Sequence, residues 1–321
     1  MFRYLTPAIL FPLSLAASPF SWHDSEGKHL DLHFQDRPLI RYVYEAIDRS
    51  SEERRVETYK PFVHVFDAAD TGEFLTKGPG GKFTHHRGIY YGFSRCSYVD
   101  SDGEKHSGID TWHCKELAAQ IHREFTAQET TEDGASFTAQ IGWIDSKGNI
   151  FAKETRTHHF STDGDQLIVD FESSLVPTGQ SLKLDGDPQH AGFQFRAHND
   201  VHDHTKDQTY YIRPASGVGK PGQTINWSKD NDTEATRDVP WKAMSFVLRD
   251  RRHTVAYLDH PRNPKPARYS ERDYGRFGSY FVAEATPESP VAVKYRLVIA
   301  PDEATEASIS DLHETFLKSN P

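Results

Sequence analysis

The chain has 321 residues, with 20 Phe and 14 Tyr against two Met, and a formal charge of −10. Such a length can bury a large core, and the aromatic, Gly- and Pro-rich mixture favours short strands and tight turns over helix bundles. With no dense Lys/Arg stripe, the acidic balance excludes non-specific binding to a phosphate backbone, so no nucleic acid is expected as a partner.

Met1-Phe2-Arg3-Tyr4 precedes an apolar run from Leu5 to Ala17 that ends in small residues. This order reads as a secretory signal peptide over residues 1–17, cut after Ala16 or Ala17. The run is too short and too proline-interrupted for a lasting membrane span. The mature protein is therefore expected to be exported, periplasmic or extracellular, with no membrane partner. Cys96 and Cys114 are the two cysteines, able to bridge in an oxidising compartment or to remain buried thiols, and no CxxC motif exists.

Residues 29–35 alternate, with Leu30, Leu32 and Phe34 opposite His29, Asp31 and His33, which predicts a half-buried strand. Residues 38–47 and 61–66 read as further strands, and 71–81, with four glycines and a proline, as a loop. There follows His85-His86-Arg87-Gly88, where a glycine-rich loop becomes the aromatic strand Ile89-Tyr90-Tyr91-Gly92-Phe93. Loops that deliver titratable groups to the mouth of a rigid sheet commonly build sites. Gly108 to His113 brings Trp112 and another imidazole.

Residues 137–144 and 150–158 predict a hairpin whose second arm puts Glu154, Arg156 and His158 on one face, and residues 165–171 continue the meander. Near residue 190, Phe193 and Phe195 alternate with His190, Gln194, Arg196 and His198. Residues 201–240 are polar and turn-rich, the length of a segment that covers a site. Strands return at 241–248, 253–259 and 291–299, and Asp259-His260-Pro261-Arg262-Asn263-Pro264 presents Asp, His and Asn on a proline-fixed loop. A last helix carries the stripe Ile309, Leu312, Phe316 and Leu317. With no repeat and no linker, residues 18–321 are expected to form one mainly β domain, a large antiparallel β-sandwich with a C-terminal helix.

No Walker loop, nucleophile elbow or H-E-x-x-H is present, so the chemistry rests on constellations. His86 or His190 suits a general base or acid, with Glu154 or Asp259 as partner. His85, Arg87, Trp112, His113, Arg196, His260, Asn263 and Arg272 suit substrate binding, the guanidiniums holding an anion or hydroxyls. Tyr90, Tyr91, Trp112 and Trp241 would stack on sugar faces or simply fill the core. His85, His86, His113 and His190 with a carboxylate also match a metal site. Adjacent His85 and His86 would point to opposite faces of an extended backbone, and nearby Arg87 and Arg196 would repel a divalent ion. The expectation is a cleft without a metal cofactor.

These segments together, H-H-R-G with following aromatics, G-x-D-x-W at Gly108–Trp112, Trp143 to Glu154, G-F-x-F-R at Gly192–Arg196, D-H-P-x-N-P at Asp259–Pro264 and S-E-R-D-Y-G-R-F-G at Ser270–Gly278, resemble the PmoA-like family of bacterial exported proteins over residues 30–300. Many relatives read D-H-P before H-H-R, where this chain has Lys82-Phe83-Thr84. The family name borrows from a methane-oxygenase subunit, a role that needs membrane helices this sequence lacks. The resemblance implies sugar chemistry, since such proteins belong to carbohydrate-degrading bacteria. The expected function is an exported hydrolase or lyase acting on a sugar or sugar derivative; the alternative is a non-catalytic carbohydrate-binding or surface-assembly module.

Overall fold

From Gln166 to Pro177 the residues alternate strictly between buried and half-buried positions, the signature of a strand with one face on a core. The same device recurs through the computed structural model, which describes residues 18–214 and 216–320. The signal peptide expected over residues 1–17 lies outside them. The fold is mainly β, as the composition predicts, with 52 % of residues in strands.

Two nine-stranded antiparallel sheets face each other. The first runs Phe20–Ser25, His29–Phe34, Arg37–Val43, Phe62–Asp67, Ile89–Phe93, Ala191–Arg196, Arg276–Tyr280, Arg268–Arg272, with Asp70–Phe74 paired to Phe62–Asp67. The second runs Gly217–Val218, Tyr210–Arg213, Trp241–Leu248, Arg251–Asp259, Val291–Pro301, Gln166–Pro177, Ile150–Asp163, Ala135–Ile144, Ala119–Thr130. A four-stranded sheet of Ala283–Ala285, Ser181–Asp185, Arg95–Val99 and Lys105–Ile109 flanks them. Aromatic rings fill the space between the large sheets. Phe193 stacks on Phe171 at 4.4 Å and on Tyr295 at 5.0 Å, and Tyr42 meets Phe137 at 4.6 Å.

The C-terminal helix, Glu306–Ser319, begins at a capping box between Thr305 and Ser308. Its buried Ile309 and Phe316 pack with Trp241, Ala243, Leu258 and Val298 on the outer side of the second sheet. Among the described residues, no helix is long and apolar enough to cross a membrane. Cys96 and Cys114 are free and buried.

Three local expectations change. Residues 71–81 are not all loop, because a tight turn at Asp67, whose Oδ1 accepts from Ala69 N at 3.0 Å, sends Asp70–Phe74 back along its neighbour before the glycines begin. A helix forms at Glu52–Thr58, capped by the Ser51 side chain on Arg54 N, and is too short to show a periodic stripe. The alternation expected from His190 to His198 holds only over Ala191–Arg196; His190 sits in the preceding turn.

The site strand is Ile89–Phe93. Tyr91 and Phe93 point into the sandwich, against Trp143 at 5.9 and 6.4 Å. Tyr90 points the other way, into a small cluster with Phe62 and Trp112. Register then extends that outer face sideways: Tyr90 opposes Gln194, Gln194 opposes Gly278, and Arg196 opposes Arg276.

Candidate functional site

Three loops meet over this outer face. The loop after Leu75 is tied by Lys77, a buried lysine whose Nζ donates to the carbonyls of Gly78 (2.8 Å), Gly80 (2.6 Å) and His86 (3.0 Å). Burial pulls its pKa down to about 7. Gly88 closes the loop at φ +34, where a Cβ would lie 2.1 Å from the Val63 carbonyl, so only glycine fits. The second loop is an Asx turn. Asp110 Oδ1 accepts from Trp112 N at 3.0 Å and His113 N at 2.8 Å, while its Oδ2 holds His113 Nδ1 at 2.7 Å. The third loop repeats that pairing, with Asp187 Oδ1 3.0 Å from His190 Nδ1.

The imidazoles converge. His85 lies 4.4 Å from His113 and 6.0 Å from His190, ring to ring, and His113 lies 4.9 Å from His190. His86 is behind His85 at 4.3 Å, with Trp112 at 6.0 Å and Tyr90 at 6.2 Å. His113 and His190 keep about a quarter to a third of their side-chain surface exposed, 26 % and 33 %, so they form the solvent side. His86, Tyr90, Trp112 and Arg276 are buried beneath.

These buried groups lack partners. His85 Nε2, both nitrogens of His86, the Tyr90 hydroxyl, Trp112 Nε1 and the Nε and Nη2 of Arg276 are buried without a hydrogen bond. Buried polar atoms are almost always satisfied in folded proteins, so a cluster of orphans marks a place shaped for something else. Arg276 Nη1 is spent on Gln194 Oε1 at 2.8 Å. That leaves open the Nε–Nη2 edge, the edge that takes a carboxylate with two parallel bonds. Burial first, then the Arg276 charge, hold His86 well below the ordinary imidazole range, so it is neutral. Burial pushes the Tyr90 phenol up, so it keeps its proton. Beneath both, Lys60 lies 5.0 Å from the Tyr90 ring centre and 5.5 Å from that of Trp112 and donates to the Trp112 carbonyl.

Of the residues singled out in the sequence, the structure brings together His85, His86, Tyr90, Trp112, His113 and His190. The rest lie in other roles. Glu154 is in the core on the opposite side of the site strand, its oxygens held by Trp143 Nε1 (2.7 Å), Arg156 (2.8 and 2.9 Å) and Ser173 Oγ (2.8 Å). Asp259 is buried with Asn263, Lys265 at 2.9 Å and the Tyr269 hydroxyl at 2.9 Å. His260 Nε2 meets the Asn320 carbonyl at 2.9 Å, and Asn263 also bridges to Lys294. That loop anchors the end of the C-terminal helix. The Arg87 guanidinium donates to the carbonyls of Val56 (2.9 Å) and Glu57 (3.2 Å) at the end of the short helix, and lies 4.3 Å from the Tyr59 ring centre. Arg196 donates from Nη1 to the Ala197 and Tyr274 carbonyls and from Nη2 to Asn199, and its Nε is buried without a partner. Arg272 is bound to Asn226 and its neighbour's carbonyl. The charge argument against a metal named Arg87 and Arg196; both guanidiniums donate to backbone carbonyls, while the charges of Arg276, Arg196 and Lys60 act on His86.

Sequence reasoning missed Lys60, Lys77, Arg276 and the two carboxylates. One signal was readable: Asp110-Thr111-Trp112-His113 and Asp187-Pro188-Gln189-His190 are the same D-x-x-H spacing twice.

No curated protein matches the chain. Among solved structures, a GH36 α-galactosidase from Geobacillus stearothermophilus is similar at 9 % identity and a TM-score of 0.43, over 89 % of this chain. A galactose mutarotase related enzyme from Lactobacillus acidophilus is similar at 8 % identity and 0.38, over 89 % of this chain and 98 % of its own. A putative kojibiose phosphorylase from human microbiome gives 7 % and 0.33, over 94 % of this chain and 36 % of its own. The chain spans about two-fifths of the length of the α-galactosidase, 41 %. At such identities and scores these likenesses assign no residue a role. One family model matches residues 29–314, nearly the whole described chain, and the chain belongs to that family, DUF6807, a family of unknown function.

Proposed function

We propose that this cluster is the active centre of an exported carbohydrate-active lyase whose substrate is a sugar carrying a carboxylate, such as a uronic acid. The observation that carries the reading is the buried, unpartnered Nε–Nη2 edge of Arg276 beside neutral His86 and protonated Tyr90. A carboxylate seated on Arg276 satisfies both donors and offsets the positive charge that depresses His86, so substrate itself makes His86 a better base. His86 then takes the proton from the carbon next to the carboxyl group. The electron pair forms a carbon–carbon double bond as the bond to the glycosidic oxygen breaks, and the Tyr90 hydroxyl protonates that oxygen. Trp112 supplies a flat apolar wall and an N–H donor.

A hydrolase of the two-carboxylate kind fits less well, because Asp110 and Asp187, the carboxylates at the cluster, are tied to imidazoles. The motif likeness to PmoA-like proteins supports sugar chemistry independently of the geometry.

The test is calorimetric binding of uronic-acid oligosaccharides and their neutral counterparts, followed by ultraviolet detection of the unsaturated product. Acidic sugars are expected to bind and neutral ones not, with Arg276→Met weakening binding about 10–100-fold, the loss of a charged hydrogen-bonded pair. His86→Ala should lower turnover about 10²–10⁴-fold. Equal binding of acidic and neutral sugars would sink the carboxylate assignment, and binding without turnover would leave the non-catalytic module ahead.

A further inference from the structure

We propose that His85, His113 and His190 bind one divalent transition metal of the zinc class at the solvent side of this centre. The inference rests on the reading above for its chemical use, though not for its test.

One ring nitrogen from each of the three lies within 4.8 Å of the other two. Around a tetrahedral zinc with bonds of 2.0–2.1 Å, imidazole nitrogens sit about 3.3 Å apart, so small side-chain rotations close the set. The second observation is independent of that distance. His113 and His190 each give Nδ1 to a carboxylate, Asp110 at 2.7 Å and Asp187 at 3.0 Å. A carboxylate on Nδ1 fixes the tautomer, turns the Nε2 lone pair outward and raises its basicity, which is how metal-binding imidazoles are ordinarily supported. The third ring, His85, has a buried Nε2 with no partner of its own.

The three residues come from three different loops, so nothing local to one turn explains their meeting. Three imidazoles, His85 and His113 edge to face and His190 tilted against both, share no hydrogen bond and have little to gain from each other, and a cation between them gives all three a common partner. The two carboxylates behind the rings supply negative charge against Lys60 and Arg276, positive groups that act on His85. His86, adjacent in sequence and 4.3 Å from His85 ring to ring, is outside the set of three. An all-imidazole set suits zinc, copper or nickel rather than magnesium or calcium. Three protein ligands leave a fourth position open, where the ion would act as a Lewis acid on a substrate oxygen.

The full-length mature chain is stripped with dipicolinate and titrated with zinc against a chromophoric chelator. One equivalent is expected at submicromolar affinity, with His113→Ala and His190→Ala each weakening it at least about 100-fold and Asp187→Asn about 10–100-fold. Zinc should also raise the melting temperature of the wild type and leave that of His113→Ala/His190→Ala unmoved. Cobalt in place of zinc should give the visible absorption of a tetrahedral nitrogen site. No stoichiometric uptake, or one equivalent retained by the folded double variant, overturns the proposal; should the double variant not fold, the partly exposed His190→Gln decides in its place. Arg276→Met separates the two readings, since it should lose the acidic sugar and keep the zinc. Zinc failing while the sugar binds removes the metal and leaves the lyase standing.

Discussion

Two polar groups of residues lie on opposite sides of the strand Ile89–Phe93, and they are built on contrary terms. On the core side, Glu154 accepts from Trp143, Arg156 and Ser173, and nothing of that carboxylate is left over. On the outer side, His86, Tyr90, Trp112 and Arg276 are equally buried, yet both His86 nitrogens, the Tyr90 hydroxyl, Trp112 Nε1 and the Nε and Nη2 of Arg276 lack partners. Burial and residue type alone do not distinguish them. What separates the structural ion pair from the candidate site is that its polar atoms are consumed by one another, while on the outer side several orphans meet; a single orphan such as the Tyr91 hydroxyl occurs in the core as well.

The largest test of that contrast is Glu154→Ala. It leaves Arg156 charged and buried, and strips the Trp143 and Ser173 donors of their acceptor. Breaking a buried pair from one side typically destabilises by about 3–5 kcal/mol. Urea denaturation should show that loss, while the folded fraction keeps its affinity for zinc and for acidic sugar. A stable Glu154→Ala protein that no longer binds sugar would move the site to the core side.

This contrast also explains what could be read in advance. The strands were legible because alternation survives in one dimension: Gln166–Pro177 and Val291–Pro301 announce their own faces. Glu154, Arg156 and His158 were correctly put on one face of one strand, yet the sequence does not say that this face is the interior. The histidines were visible as clusters, while their meeting depends on three loops separated by up to about a hundred residues. Arg87, beside His86 in sequence, turned out to hold helix carbonyls. Arg276 lies in the segment Ser270–Gly278 without being marked there as a site residue, and reaches the centre through sheet register with Arg196. Orphaned atoms are a property of three-dimensional packing, and no residue pattern encodes them.

Another imidazole, on the same sheet, calibrates the comparison from the satisfied side. His64 is buried, stacked on Phe74 at 4.0 Å, and its Nδ1 meets Thr76 Oγ1 at 2.9 Å. Burial, assisted by Arg41, pulls its pKa down to about 3. The unfolded chain therefore binds a proton near pH 6.5 that the folded one refuses until near pH 3. Stability is complete above pH 6.5 and falls as pH drops, at about 1.4 kcal/mol per unit for one such group, or roughly 2–3 kcal/mol by pH 4.5. His64→Gln should lose less stability than the wild type between pH 7 and pH 4.5. Parallel losses in the two proteins would show that His64 titrates normally and is not the sealed group described.

The smallest effect gives the sharpest division, and it needs only one oxygen atom on each side of the strand. Tyr90 and Tyr91 are each 1 % exposed, and each hydroxyl is buried without a partner. Removing such a hydroxyl relieves a desolvation penalty without opening a large void, so Tyr90→Phe and Tyr91→Phe should each be neutral or stabilising by about 1 kcal/mol. In a chain of this size that is a rise of about 1–3 °C in melting temperature. Stability thus treats the two faces alike, and function should not. Tyr90→Phe removes the acid that protonates the leaving oxygen and should lower turnover about 10²-fold or more, while Tyr91→Phe, facing Trp143 in the core, should leave turnover where it was. If Tyr90→Phe instead destabilises by 1 kcal/mol or more, its hydroxyl is held by an interior water. Both faces would then be structural, and the lyase reading would lose its acid.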